Sequence, residues 1–397
     1  MNQSRKQKWN DKIKPILNTA GQWEQDTKSR TWSFIEPVFM MSALQILMWG
    51  VWLPMDLADV DPLVVYLLMG LLGIYLVASP FIHADTFKAW GMNPLYLAKQ
   101  MTRGKKPLVG ALIILGIFTA IGMVSFHFLW GEIANALFVD PFDMNLQELV
   151  DFQATFLGET TILVAGAVVG FLFSMFIIRW DNMLNSLKIA LYVILILGGL
   201  LFGYGLSIAA DEIIPNMAAT FLTPEGIAGF GLNFFGYIFW GALQQVLFAS
   251  YFGTRFRKAF TPRIEFDDPD SMSPKEKRKL WPKRLVVSIV AGSYFGLIHV
   301  PSWNLTMFTS VLGVVLTWFW FKDKNRNLIG LGIIHGFLGS VVGAMFSGET
   351  VSMSVGPGAV PDGLIPNFWM VGICLAAQQV LIVVIWCLYE LKKRKSE

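Results

Sequence analysis

Stretches of about twenty apolar residues recur along the whole chain, and no other feature so restricts what it can fold into. A hydrocarbon core ~30 Å thick is crossed by roughly 20 helical residues. Ten such stretches can be read, near residues 33–53, 62–82, 108–130, 160–178, 187–207, 229–253, 285–303, 305–321, 327–347 and 366–390. A soluble reading fails on composition. The 397 residues are 54% hydrophobic and 15% charged, which leaves too little polar side chain to cover several soluble domains. The expected fold class is therefore all-α, a polytopic membrane protein of about ten transmembrane helices.

The cations give this count an independent check, because Lys and Arg are biased to cytoplasmic loops. All 31 Lys and Arg fall within residues 1–32, 83–107, 179–188, 254–284, 322–326 and 392–395. The intervening loops, 54–61, 131–159, 208–228 and 348–365, hold none. Ten spans with both termini cytoplasmic follow, and the plasma membrane is the expected location. The loop 254–284 reads as a solvated connector, with contact to anionic lipid headgroups as the alternative.

Residues 1–32 form a basic segment without the apolar core of a signal peptide. Trp9, Ile13 and Leu17 recur at helical spacing there, which fits either a helix lying on the inner leaflet or a basic tail that orients the first span. Cys374 and Cys387 stand thirteen residues apart on one helix, about 20 Å at ~1.5 Å per residue, beyond disulfide reach. A net charge of +3 reflects the cationic inner face and does not point to nucleic acid. Membrane lipids are the expected surroundings.

Polar side chains inside apolar spans are expensive and mark functional sites. Three short strings carry them: Gln244-Gln245-Val246-Leu247-Phe248-Ala249-Ser250, Phe295-Gly296-Leu297-Ile298-His299, and His335-Gly336-Phe337-Leu338-Gly339. In each, residues four apart share a helix face, so Gln245 is expected over Ala249, Phe295 under His299, and His335 beside Gly339. Their depths, counted from the basic loops, allow all three to line one cavity open to the cytoplasm. Gln378 and Gln379 on the last span are expected to bond neighbouring helices. Ser250 and Ser340 read as packing residues, and His83 as interfacial. A metal site would need a third ligand beside His299 and His335. His127 lies towards the outer face, so no metal and no cofactor are expected.

In order and spacing these strings resemble the motifs of the CAAX-protease and bacteriocin-processing (CPBP) family of intramembrane proteases, in its type II CAAX prenyl endopeptidase form. The family pattern is Glu-Glu-x-x-x-Arg, then Phe-x-x-x-His, then His-x-x-x-Asn. Phe295 and His299 match the second motif, His335 the head of the third, and Leu247-Phe248 the usual Leu-Phe of the first. The resemblance spans roughly residues 229–347. It implies a helical core of that family, preceded by an N-terminal set of helices over 33–228 and followed by an outer loop, last helix and basic tail over 348–397.

The resemblance further implies peptide hydrolysis, with a glutamate as general base, a histidine holding the water, and a second histidine and an asparagine on the oxyanion. Here the catalytic positions are Gln244, Gln245, His299 and His335. Phe248, Phe295, Ala249 (the arginine position) and Gly339 (the asparagine position) complete the site. A glutamine holds a water but cannot deprotonate it. Loss of an oxyanion donor costs on the order of 3–4 kcal/mol of transition-state stabilisation. The expected function is a catalytically silent or impaired member that binds a peptide, a prenylated peptide, a lipid or a partner membrane helix. The alternative is an active intramembrane endopeptidase for membrane-associated peptides, with Glu36 as substitute base. Without catalysis, Gln244, Gln245, His299 and His335 are expected to close into one polar network.

Overall fold

The computed structural model describes residues 27–52, 63–83, 85–94, 96–134, 144–261, 272–300, 302–346 and 368–395. Every described element is a helix. In chain order they are α1 (Thr27–Gln45), α2 (Leu63–Ile82), α3 (Tyr96–Met101), α4 (Lys105–Phe128), α5 (Trp130–Ala134), α6 (Leu146–Gln153) and α7 (Phe156–Leu172). Then follow α8 (Met183–Leu222), α9 (Pro224–Gln245), α10 (Gly253–Phe260), α11 (Pro274–Leu297), α12 (Trp303–Trp320), α13 (Leu328–Met345) and α14 (Phe368–Arg394).

Among the described residues, eight helices are long and apolar enough to cross a membrane. Leu67–Ile82 of α2 is shorter, and α11 opens on a charged first half, PKEKRK, before its apolar half. The all-α membrane architecture read from the sequence is the observed one. The segment Trp9–Leu17 and the loop 348–365 lie outside the described residues.

Helix starts follow local chemistry. Thr155, Thr223, Ser273 and Asn327 each accept a backbone N–H from the first turn of α7, α9, α11 and α13, satisfying donors that a helix start leaves orphaned. Ser273 and Glu276 make a reciprocal capping box, with Pro274 at the first helical position. One helix departs from expectation. Residues 208–228 read as an outer loop, yet α8 breaks at Ala209 (φ −151°, ψ 48°) and resumes as helix to Leu222, with Pro215 inside the second part. Pro215 removes one backbone donor, and the alanine-rich segment around it keeps enough propensity to continue.

Pairs of helices approach closely where small residues face each other. A Cβ at Gly122 of α4 would lie 2.1 Å from the Gly166 carbonyl oxygen of α7, and one at Gly292 of α11 would lie 2.2 Å from the Val314 nitrogen of α12. In lipid, where apolar burial gives helices no reason to associate, such backbone approach supplies the dispersion contacts that hold them. The main core gathers Phe34, Trp90, Phe248, Tyr251, Phe252, Phe256, Tyr294, Phe295, Leu316, Trp320 and Leu338. With Leu197 of α8 and Trp386 of α14, it joins α1, α8, α10–α13 and α14 around the turn after Gln245.

The basic segments meet at one end of this bundle, but they are not a solvated fringe. Arg255, Arg257 and Lys258 of α10 are 0%, 0% and 1% exposed, which corrects the solvated-connector reading of 254–284 for its first residues, 254–261. Arg255 and Lys258 are held by carboxylates from α1 and the segment after α2, and Arg257 by the far end of α12, whose last carbonyls have no intrahelical donors. Arg284 donates to Trp318 O at 3.0 Å, Arg257 to Trp320 O at 3.3 Å, and Arg326 to Trp320 O at 2.8 Å and Phe321 O at 3.0 Å. Cations at a helix C-terminus also complement its dipole. Beyond this knot the start of α11 is exposed.

Candidate intramembrane site

Helix α9 crosses α13 at close range because both present glycine. A Cβ at Gly241 would lie 2.8 Å from Cβ of His335, one at Gly332 would lie 2.5 Å from Ile238 O, and one at Gly336 would lie 2.8 Å from Ile238 N. That approach brings the first and third strings together. The Gln245 Nε2 stands 3.4 Å from His335 Nδ1, and the two residues are 1% and 7% exposed.

The second string enters from α11. Phe295 is 0% exposed, and its ring lies edge-on to both histidines, with centroids 5.2 Å from His299 and 5.1 Å from His335. Phe248 packs against the other side of Phe295 at 5.0 Å. Three strings far apart in sequence therefore share one buried locus, with Phe295 at its centre.

His299 occupies the turn that ends α11. Val300 precedes Pro301, a position that disfavours the α conformation, and the helix stops at Leu297. The His299 Nδ1 lies 2.8 Å from Phe295 O. A carbonyl only accepts, so Nδ1 carries the proton and Nε2 presents a lone pair. At His335 the Gln245 amide donates to Nδ1, which leaves the proton on Nε2. The two rings are thus opposite tautomers.

The closed network of four residues expected from the sequence is not formed. Among the described residues Gln244 Oε1 has no hydrogen-bond partner, and His299 is turned to its own helix. The reason is a wide turn. From Val246 to Phe252 the chain winds as a π-helix, with i→i+5 bonds instead of i→i+4. The α-helical stacking of Ala249 on Gln245 is therefore not the local geometry. Phe248 to Phe252 are five consecutive buried residues, and Ala249 is 1% exposed.

Just past that turn lies a second polar cluster. Glu36 of α1 accepts from Tyr251 at 2.8 Å, from Ser79 at 2.9 Å and from Arg255 Nε at 3.3 Å, while His83 pairs with its other oxygen. Arg255 Nη1 donates to Asp85 Oδ2 at 2.6 Å, Trp90 donates to the same oxygen at 3.1 Å, and Lys258 pairs with Asp85 Oδ1. His83 is thus a hydrogen-bond partner of Glu36 just past α2. Burial alone would raise the Asp85 carboxyl, but Arg255 and Lys258 outweigh it and hold it at about 2. With four donors on Glu36, its oxygens are occupied, and a base needs a free lone pair.

The remaining candidates fall where their chemistry places them. Tyr294 donates to Gln379 at 2.9 Å, and Gln378 donates to Ser293 at 2.6 Å, so both glutamines bond neighbouring helices. Ser250 donates to Trp90 O at 3.1 Å. His127 stands 3.9 Å from Glu159, away from the three strings. Cys374 and Cys387 are free thiols. Among the described residues no group of three His, Cys, Asp or Glu could hold a metal ion.

His299, in the turn after α11, and His335, on α13, thus flank one buried phenylalanine. The segment 255–341 matches the type II CAAX prenyl endopeptidase Rce1-like family. This Rce1-like segment contains His299, His335 and Gly339, and it begins beyond Gln244, Gln245 and Ala249. No curated protein and no solved structure matches the chain.

Sequence reasoning missed Tyr237, Tyr251 and Asp85. Tyr237, Gly241 and Gln245 follow each other at four-residue spacing, so one α9 face carries all three, a signal readable from the sequence. Asp85 and Tyr251 gave no such signal, because their partners are distant in sequence: Arg255 and Lys258 of α10 for Asp85, and Glu36 of α1 for Tyr251.

Proposed function

We propose that this membrane protein keeps the Rce1-like scaffold as a receptor site and lacks its hydrolytic chemistry. The site formed by Gln244, Gln245, His299, His335 and Phe295 binds a peptide, a prenylated peptide, a lipid or a partner helix. The protein resides in the plasma membrane with both termini cytoplasmic.

The observation that carries this reading is the amide of Gln245 on His335. At the position where the resemblance implies a carboxylate, a neutral amide meets the imidazole, and it has no basic site at accessible pH. Glu36, the substitute base, is engaged by four donors. Gly339 supplies no oxyanion donor of its own. What remains is a set of neutral donors and acceptors within an aromatic wall, suited to holding a ligand.

The test is direct. Purified protein incubated with a farnesylated tetrapeptide is expected to retain it without cleavage, followed by mass spectrometry of the peptide. Cleavage that His299→Ala or His335→Ala abolishes would overturn the silent reading.

A further inference from the structure

The place of the missing asparagine is not empty. A Cβ added at Gly339 would lie 3.2 Å from Cδ1 and 3.3 Å from Cε1 of Tyr237, and 4.0 Å from Cδ2 of His335. Contacts of 3.2–3.3 Å are tighter than ordinary carbon–carbon contact, which is about 3.5–4.0 Å. The Tyr237 ring therefore lies against α13 where a side chain at position 339 would begin. One turn back, a Cβ at Gly336 would meet Ile238 N at 2.8 Å and the Tyr237 carbonyl carbon at 2.9 Å, so the backbone beneath Tyr237 is held against α13.

We propose that Tyr237 replaces the asparagine as the ligand-facing residue at the His335 end of the site. Its ring fills the space, and its hydroxyl supplies the hydrogen-bond donor. This inference rests on the receptor reading above. Tyr237 is 38% exposed, so an occupant can reach it.

The donor pattern supports the role. Gln245 donates to His335 Nδ1, which leaves the His335 proton on Nε2. That nitrogen adjoins Cδ2, the atom nearest Gly339. Two donors, an imidazole N–H and a phenol O–H, therefore stand at the same end of the site. The chemistry they recognise is an oxygen acceptor, such as an amide or ester carbonyl. A phenol is also long enough to donate from α9, where the asparagine would have donated from α13. The exchange keeps a donor beside the histidine and moves its origin to the facing helix.

Two measurements test this. The first needs no ligand. Gly339→Asn is expected to lower the unfolding midpoint in detergent, and the loss should shrink by more than half in a Tyr237→Ala background, since the ring is what the new side chain strikes. Additive losses would mean that the ring does not fill the place. The second uses a fluorescent farnesylated tetrapeptide as probe. Tyr237→Phe, which keeps the ring, is expected to weaken binding about tenfold, the scale of one lost hydrogen bond. Unchanged affinity with wild-type binding intact overturns the donor role alone. A wild type that binds no probe sinks the receptor reading and the donor role with it, while the first measurement still decides the packing.

Discussion

Gln245 and His335 face each other across the α9–α13 crossing at 3.4 Å, and glycines on both helices make the approach possible. The pair is buried, so each residue depends on the other for its hydrogen bond. A buried polar group left without its partner costs about 1–3 kcal/mol. His335→Leu is therefore expected to destabilise the detergent-solubilised protein by roughly that amount. The Gln245→Leu, His335→Leu double variant should lose less than the sum of the two single variants, because no orphan remains. Thermal unfolding of the four proteins gives the coupling. Strict additivity would mean that the contact carries no energy.

The cluster around Asp85 allows a sharper prediction. Asp85 neutralises two buried cations, Arg255 and Lys258. Removing one partner of a buried pair strands the other charge, at about 3–5 kcal/mol. Asp85→Asn should be among the most damaging single substitutions, and Asp85→Asn with Lys258→Met should recover part of the loss. A thermal midpoint unmoved by Asp85→Asn would refute this account.

The same carboxylate sets a pH window. Its folded pKa of about 2 lies below the ordinary 3.8, so between these values the unfolded chain binds more protons than the folded one. The stability Asp85 contributes is complete above pH 3.8 and is lost as pH falls towards 2. Midpoints measured from pH 5 down to pH 2.5 should fall more steeply for wild type than for Asp85→Asn.

The spans and the three strings were legible because both are local. An apolar run declares a helix by itself, and Phe295-x-x-x-His299 keeps its partners within one turn. What was not legible depended on the far side of the bundle. Arg255 reads as the first charge of a cytoplasmic loop, yet it is buried because Glu36 and Asp85, from the first helices, come to meet it. The π-helical turn after Gln245 has no marker in VLFASYF, and without it the four polar residues seemed able to close on each other. Gly339 read as a loss, since the ring that replaces a side chain there belongs to another helix.

The expected topology can be measured at residues whose exposure suits it. Lys277 and Lys279 are exposed at the start of α11, as are Lys395 near the C-terminal end and Gln147 at the start of α6. Cysteines introduced at 277, 279 and 395 should react with a membrane-impermeant maleimide only after permeabilisation, and a cysteine at 147 should react in intact cells. Labels are better kept off residues 255–260, which are buried whichever side they occupy. Reaction of 277 and 147 from the same side would overturn the ten-span scheme.

The last prediction concerns regaining chemistry. Gln244→Glu alone should give no cleavage of a farnesylated peptide, because Gln245, the residue that meets His335, remains an amide. Restoring all four positions, with Gln244→Glu, Gln245→Glu, Ala249→Arg and Gly339→Asn, places a guanidinium where Ala249 is 1% exposed within the π turn. A buried cation there needs the new carboxylate at 245 as its partner, so Ala249→Arg alone should cost more stability than Gln245→Glu with Ala249→Arg. The asparagine at 339 in turn needs room that the Tyr237 ring takes up. Hydrolysis is therefore expected to require a fifth change, Tyr237→Ala, and to be absent from the fourfold variant. Cleavage by the fourfold variant at the rate of the fivefold one would show that the ring does not obstruct the site.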